Sequence, residues 1–260
     1  MNGMLNIAVK AAREAGILMM RSFHRLESIK VREKGTNNYV SAVDIMVENF
    51  LIEYINKHFP DHAIEAEESG MTGNNEFTWI VDPLDGTNNY LHSFPHFCVS
   101  IAIKHEDKIE HGVVYDPLRQ ELFVASRGNG ATLNDKKIRV SKTIKLSNAL
   151  ISMALHCQTG ADLSAAQTKQ IQTLLNTVSG IRTSGAAALD LCYVATGRTD
   201  AFWENNLKPW DIAAGALILE EAGGLITDID ETDNYLYNGS VVSGNPKIHE
   251  KLIVLLRQAI

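Results

Sequence analysis

Leu5, Ala8, Ala12, Ala15 and Met19 recur every three to four residues, which predicts an amphipathic helix over 4–22. A second stripe, Val43, Met46, Val47, Phe50, Leu51, Tyr54 and Ile55, predicts another helix. Ser41-Ala42-Val43-Asp44 has the form of a capping box at its start, and Pro60 ends it. Between the helices, residues 30–40 include Lys34-Gly35-Thr36-Asn37-Asn38 and read as loop. The period then changes. Residues 62–66 read as a short strand entering the acidic turn Glu67-Glu68-Ser69-Gly70, residues 71–77 as polar loop, and 79–81 as a buried strand. Apolar runs at 97–104, 109–115 and 121–125 are separated by His105-Glu106-Asp107 and Asp116-Pro117. They predict an antiparallel meander, with further hairpins at Gly128-Asn129-Gly130 and Asn134-Asp135. Gly128-x-Gly130 is no dinucleotide fingerprint, because strands surround it.

From residue 149 the rhythm becomes strand and helix in alternation. Strands are predicted at 149–154, near Ile181, and at 200–203, 225–227 and 241–243. Helices are predicted over 163–178, along the Ala-rich stretch to Gly197, from Asp211 to Gly223-Gly224, and under the stripe Ile248, Leu252, Leu255 and Leu256. This alternation implies an α/β layer. The chain reads as an N-terminal α+β half, 1–147, and a C-terminal α/β half, 148–260, joined in one compact unit.

Composition narrows the function. The chain has 260 residues, ample for a buried core, and its 45% hydrophobic and 21% charged residues are ordinary for a globular protein. The formal net charge of −7 argues against direct, charge-driven nucleic-acid binding. It leaves phosphate substrates open where cations intervene. Cys98, Cys157 and Cys192 form no CxxC pair, which suggests reduced thiols in a cytoplasmic protein. No apolar run near the N-terminus is long enough for a signal peptide or a membrane span.

The candidate chemistry lies where the 79–81 strand meets Asp82-Pro83-Leu84-Asp85-Gly86-Thr87. Pro83 stiffens the turn and Gly86 permits a backbone path closed to other residues. Two carboxylates with the Leu84 carbonyl between them are the oxygen ligands that hard divalent cations take. Gly86 and Thr87 offer N–H groups and a hydroxyl where a helix could begin, a seat for phosphate. Each acidic group has an ordinary explanation by itself: a turn for Asp82 and Asp85, a solvated turn for Glu67 and Glu68, a helix cap for Asp211, the capping box for Asp44. Together, Glu67, Asp82, Asp85 and Asp211 all fall at strand ends or helix starts, where α/β sheets gather ligand sites. Carboxylates collected at one place repel unless cations neutralise them, which implies two or three Mg²⁺ ions.

Three blocks carry a family resemblance: Glu67-Glu68-Ser69, Asp82-Pro83-Leu84-Asp85-Gly86-Thr87, and Trp210-Asp211-Ile212-Ala213-Ala214-Gly215 with Glu221-Ala222-Gly223-Gly224. In this order they resemble the inositol monophosphatases, Mg²⁺-dependent and lithium-sensitive, and within them the bacterial SuhB-type branch. The resemblance implies an αβαβα sandwich, usually a homodimer, that hydrolyses inositol monophosphate with a metal-activated water. It implies a first metal on Glu67, Asp82 and the Leu84 carbonyl, a second on Asp82, Asp85 and Asp211, and a weaker third helped by Glu67. Gly86 and Thr87 would seat the phosphate, Thr87 and Asp44 would orient the water, and Lys34 would lie in a mobile loop near the site. Gly185, Ala186 and Ala187 match a helix start facing the substrate, and Glu204 a residue contacting substrate hydroxyls. Asn88 stands where the family often has Thr. Sibling phosphatases for fructose 1,6-bisphosphate, 3′-phosphoadenosine 5′-phosphate, NADP or histidinol phosphate share the metal carboxylates. The branch is also associated with transcription antitermination through protein partners, a role that need not use the active site.

Overall fold

The computed structural model describes residues 3–23, 31–35, 38–154 and 165–259, and for 31–35, 38–41, 165 and 166 the backbone alone. The first stripe forms α1 (Gly3–Phe23), with Leu5, Ala8, Ala12, Ala15 and Met19 all buried. Residues expected to be loop contain a hairpin instead: β1 (Val31–Gly35) pairs antiparallel with β2 (Asn38–Ser41). The Gly and Asn signals bear on its tip, where Gly35 pairs with Asn38, while Val31, Tyr39 and Val40 favour extended backbone. The second stripe forms α2 (Ala42–His58), which ends just before Pro60.

An eight-stranded sheet follows. It comprises β3 (Ala63–Ala66), β4 (Gly70–Thr72), β5 (Phe77–Asp85), β6 (Cys98–His105), β7 (Lys108–Asp116), β8 (Glu121–Ser126), β9 (Gly130–Leu133) and β10 (Lys136–Lys137). The strand order is β10-β9-β8-β7-β6-β5-β3-β4. β6 to β10 form the expected meander, β5 extends it by pairing antiparallel with β6, and only the β3–β5 pair is parallel. β4 lies within the stretch read as loop; it is a three-residue edge strand, too short to show an alternating pattern. A short helix, α3 (Thr87–Leu91), leaves β5.

The chain then turns through a 3-10 segment at Leu146–Asn148 into a five-stranded sheet. In chain order its elements and helices are β11 (Leu150–Met153), α4 (Ala165–Leu175), β12 (Gly180–Arg182), α5 (Ala187–Ala195), β13 (Ala201–Glu204), α6 (Pro209–Glu221), β14 (Leu225–Thr227), α7 (Tyr235–Asn238), β15 (Val241–Gly244) and α8 (Pro246–Gln258). The order in this sheet is β12-β11-β13-β15-β14, with β11 parallel to β12 and β13. Residues 163 and 164 of the predicted fourth helix lie outside the described residues.

The layers follow from which face each strand residue buries. Trp79, Val81, Val99 and Ile101 pack on one side of the large sheet with α1 and α2. Ile80, Cys98, Ala102 and Val114 pack on the other side with α5 and α6, whose far faces meet the second sheet through Phe202, Ile226 and Val241. Ile151, Met153, Trp203 and Val242 cover the outer face of that sheet with Leu174 of α4 and Leu252 of α8. The result is an αβαβα sandwich. Each large side chain buried this way contributes about 1.5–3 kcal/mol. The middle layer is hydrophobic all round because both of its sides are covered, as α6 shows from Ile212 to Leu219. No helix among the described residues is long and apolar enough to cross a membrane. Cys98 and Cys192 are free and buried, and Cys157 lies outside the described residues.

Candidate active site

β5 runs on through Asp82 and Pro83 to Asp85, where an abrupt stop after Val81 was expected. The reason is a bulge. Asp82 pairs with Ser100 and Asp85 with Cys98, so three steps on β5 face two on β6. In a regular strand, residues three apart point to opposite faces; one extra residue puts them on the same face. Pro83 has no N–H to give the ladder, which suits the bulge. Asp82 and Asp85 therefore share the Ile80 face, toward α5 and α6. The Leu84 N–H donates to Asp82 Oδ1 at 2.9 Å and fixes that carboxylate over the turn.

Neighbouring elements bring the other acids in. β3 pairs with β5 so that Ala66 lies opposite Val81, and Glu67, the first residue beyond β3, follows on beside Asp82, which is still in β5. The turn after β3 is held from α2: Glu48 accepts the N–H groups of Glu68 at 2.8 Å and Ser69 at 2.9 Å. Asp211 is the third residue of α6, where a helix-opening or capping position was expected. Lys208 is the N-cap and Pro209 starts the helix, since its fixed φ suits a first turn and no N–H is needed there. The Asp211 carboxylate accepts the Lys208 backbone N–H at 2.6 Å. Ser100 Oγ, opposite Asp82, donates to the Trp210 carbonyl at 3.3 Å and ties α6 to the sheet at this point.

Asp82 is held well above the usual carboxylate range, first by burial and then by repulsion from Glu67, Asp85 and Asp211. Asp85 is raised in the same way, first by burial and then by Asp211, with Asp190 and Glu204 adding to it. The leading counterweights are backbone N–H groups: Leu84 for Asp82, and Ala188 at the start of α5, which donates to Asp85 Oδ2 at 2.8 Å. Cys98 Sγ also donates to that oxygen at 3.7 Å. Among the described residues no three His, Cys, Asp or Glu side chains already close into an ion cage. The structure shows a looser ring of carboxylates that repel one another. All donors are oxygens and no basic group stands among the leading neighbours of Asp82 or Asp85, so the set fits a hard cation such as Mg²⁺.

The second part of the site crosses the sheet edge from the α2 side. Thr87 Oγ1 donates to Asp44 Oδ1 at 2.7 Å, and lies 3.1 Å from the Leu84 carbonyl. Asp44 is fully buried, deeper than a solvated cap would be. Gly86 adopts φ 89°, and a Cβ there would lie 2.9 Å from the His96 carbonyl and 3.4 Å from Ala186 Cβ, so only glycine fits. The phosphate-seat turn thus touches Gly185 and Ala186 ahead of Ala187, the first residue of α5. Asn89 staples the two: its Nδ2 donates to the carbonyls of His96 and Ser184, each at 2.8 Å. α3 is only five residues long, so the macrodipole available at Gly86 and Thr87 is small.

Glu204 ends β13, is buried, and acts electrostatically on Asp85. The backbone of Lys34 lies in β1, and its side chain lies outside the described residues, as does Cys157. Pattern reading missed Glu48, Asn89 and Asp190. Glu48 had a signal: it shares the buried face of α2 with Asp44, four residues earlier, and with Val47 and Leu51. An acid in an apolar stripe is rare without a partner. Asp190 likewise interrupts the run Ala187-Ala188-Leu189 and Leu191-Cys192.

Fold and site together define a five-layer α/β protein with an acidic centre at its strand ends. The chain belongs to the inositol monophosphatase family, whose model matches residues 1–260. It is 45% identical over 262 residues to the Nus factor SuhB of Pseudomonas aeruginosa, covering 99% of this chain and 97% of that protein. The extragenic suppressor protein SuhB of Bartonella henselae superposes with a TM-score of 0.96 at 39% identity, over 100% of both chains. The inositol monophosphatase of Anabaena (Nostoc) sp. PCC 7120 superposes with a TM-score of 0.86 at 40% identity, over 98% of this chain and 95% of that one.

Proposed function

We propose that the chain is a Mg²⁺-dependent phosphomonoesterase that hydrolyses inositol monophosphate to inositol and phosphate. The observation that carries this reading is the alignment of Asp82 with Asp85 by the β5 bulge, inside the ring completed by Glu67 and Asp211. Glu67, Asp82 and the Leu84 carbonyl would hold one ion; Asp82, Asp85 and Asp211 a second; Glu67 would help a weaker third. When bound, Mg²⁺ offsets the charge of the phosphate, activates water and steadies the leaving oxygen.

The chain's own groups supply the positioning. Asp44 takes the Thr87 hydroxyl hydrogen at 2.7 Å, which leaves the lone pairs of Thr87 Oγ1 turned outward to accept from the attacking water. The N–H groups of Gly86 and Thr87 would receive phosphate oxygens. Gly185, Ala186 and Ala187 present small residues, so the substrate can approach the α5 start closely. Glu204 accepts substrate hydroxyls. Positioning and electrostatics of this kind supply most of the catalysis in phosphoryl transfer.

A substrate panel with and without Mg²⁺ tests this. It should hold inositol 1-phosphate, fructose 1,6-bisphosphate, 3′-phosphoadenosine 5′-phosphate, NADP, histidinol phosphate and an aryl phosphate. The expected result is Mg²⁺-dependent hydrolysis with the highest kcat/KM on inositol 1-phosphate. A higher value on a sibling substrate would reassign the substrate, and no hydrolysis of any ester would remove the enzyme reading. A second reading is favoured by the similarity to the Nus factor SuhB of Pseudomonas aeruginosa: binding to transcription partners, independent of turnover. Pull-down of elongation factors by wild type and by Asp82→Asn checks it, and equal capture by both is the expected outcome.

A further inference from the structure

Asn89 is a small amide in a five-residue helix, yet three backbone carbonyls converge on it. Its Nδ2 donates to the carbonyls of His96 and Ser184, each at 2.8 Å, and to that of Gly185 at 3.2 Å. A carbonyl oxygen only accepts, so the nitrogen end of the amide is the end that faces all three. The Asn89 backbone carbonyl accepts the Phe94 N–H at 2.8 Å and closes the loop that leads to His96. The helix beneath is anchored by the next residue. Tyr90 is fully buried, packs its ring against Phe23 and Phe97, and donates its hydroxyl hydrogen to the Met19 carbonyl at 2.7 Å.

The segment that Asn89 reaches, residues 183–186, connects β12 to α5. Gly185 holds φ 79°, and Ala186, the N-cap of α5, makes no side-chain bond to the first turn. The body of α5 is fixed separately. A Cβ on Gly215 of α6 would lie 2.9 Å from Leu191 Cβ, and the Ala188 N–H is committed to Asp85 Oδ2 at 2.8 Å. Asn89 thus holds the connection rather than the helix, from 95 positions upstream. The tie falls where two parts of the site meet. Gly86 is the N-cap of the Asn89 helix, and a Cβ there would lie 3.4 Å from both the Gly185 carbonyl and Ala186 Cβ.

We propose that Asn89 is a positioning residue for substrate choice: it holds residues 184–186 at a fixed distance from the phosphate seat, and so sets the shape of the alcohol that fits between them. The assignment rests on the phosphatase reading, in which Gly86 and Thr87 take the phosphate and Gly185, Ala186 and Ala187 face the alcohol portion. It adds the group that fixes the spacing of those two parts. The metal-holding carboxylates are placed by other bonds, Asp82 by the Leu84 N–H and Asp85 by the Ala188 N–H, so Asn89 acts on fit and not on the chemical step. Asn89→Asp keeps the shape but turns a carboxylate toward three carbonyls. Asn89→Ala removes the amide altogether.

The test compares wild type and both variants on inositol 1-phosphate and p-nitrophenyl phosphate at saturating Mg²⁺. The aryl ester has a flat ring without hydroxyls, so its turnover reports the fold and the metal site. On inositol 1-phosphate the expected result is a KM about tenfold higher in each variant, with kcat within about threefold of wild type, the scale of one or two lost hydrogen bonds. A rise in KM with kcat kept is the signature of lost binding rather than lost chemistry. The ratio of kcat/KM values, inositol ester to aryl ester, should fall by about the same tenfold factor. An unchanged ratio, or equal losses on both esters, would overturn the inference while leaving the phosphatase reading in place. Wild type hydrolysing neither ester would overturn both. A second measurement is independent of turnover. In metal-free Asn89→Ala, hydrogen–deuterium exchange should be about tenfold faster at the amides of residues 184–187, while those of 189–194 in α5 keep the wild-type rate. Wild-type exchange at 184–187, or faster exchange along the whole of α5, would rule out the tie.

Discussion

Asp82 is buried among Glu67, Asp85 and Asp211, so removing its charge acts in opposite directions on activity and stability. Asp82→Asn keeps an oxygen for the Leu84 N–H and preserves the bulge. Loss of Mg²⁺-dependent hydrolysis is expected with an unchanged far-UV circular dichroism spectrum, while the metal-free melting temperature rises because one buried repulsion is gone. Near-normal turnover would sink the metal assignment. At this scale much of the candidate site was legible. Asp82, Asp85, Glu67 and Asp211 stood out by residue type and by location at strand ends. Glu48 and Asn89 did not, because each works through backbone groups of a segment remote in sequence: Glu48 on the Glu68 and Ser69 amides, Asn89 on the Ser184 carbonyl.

Among the elements, α6 is the one whose position is most tightly specified. A Cβ on Gly112 of β7 would lie 2.7 Å from the Ala214 carbonyl, and one on Gly215 would lie 2.9 Å from Leu191 Cβ. The helix therefore touches a strand on one side and α5 on the other, backbone nearly against backbone. Gly215→Val would force α5 away, and α5 carries the Ala188 N–H that holds Asp85. A destabilisation of about 1–3 kcal/mol is expected from the overpacking. It should be read by denaturant unfolding, together with a fall in kcat. Full activity in a destabilised Gly215→Val would show that the α5 contact to Asp85 is dispensable. The Gly-Ala pattern was visible in the sequence as helix composition. Which two surfaces those small residues admit was not, since it depends on strands a hundred residues upstream.

For the whole molecule, the acidic centre sets the dependence of stability on pH. Asp82 and Asp85 are raised in the folded state, and Asp190 is raised to about 8. The folded state then binds more protons than the unfolded chain, whose aspartates titrate near ~4. Each raised carboxyl contributes stability that is lost as pH rises, by about 1.4 kcal/mol per pH unit for each extra proton. Burial lowers His62, His96, His111 and His249, which acts in the opposite direction below the free histidine value of about 6.5. Melting temperatures measured from about pH 7 to about pH 8, above that range, should decline. Asp190→Asn should flatten part of the decline, and Mg²⁺ should raise the melting temperature most at the alkaline end, where the carboxylates are charged. A flat profile without metal would contradict the buried acidic cluster. The core around α5 and α6 mixes Ile80 and Val114 with Phe202 and Val241, so we propose that residues 1–147 and 148–260 unfold together. One transition is the expected result, and the family's usual homodimer is checked by light scattering on the same samples.

Short-range physics settled the elements. Apolar spacing marked α1, α2, α6 and α8, alternation and turn residues marked the meander, and Pro83 and Gly86 announced a special turn after a buried strand. These signals are local, and they survive in a sequence because a helix or strand must bury one face wherever it packs. The tertiary structure decided what depends on register and on contacts between distant segments. It made β1 and β2 a hairpin where turn residues suggested loop. It placed Asp82 and Asp85 on one face through a single extra residue on β5, and it brought Thr87 to Asp44 across 43 positions. It also buried Asp190 of α5 beneath the second sheet, because only the stacking of α5 on that sheet seals an acid of the helix away from water.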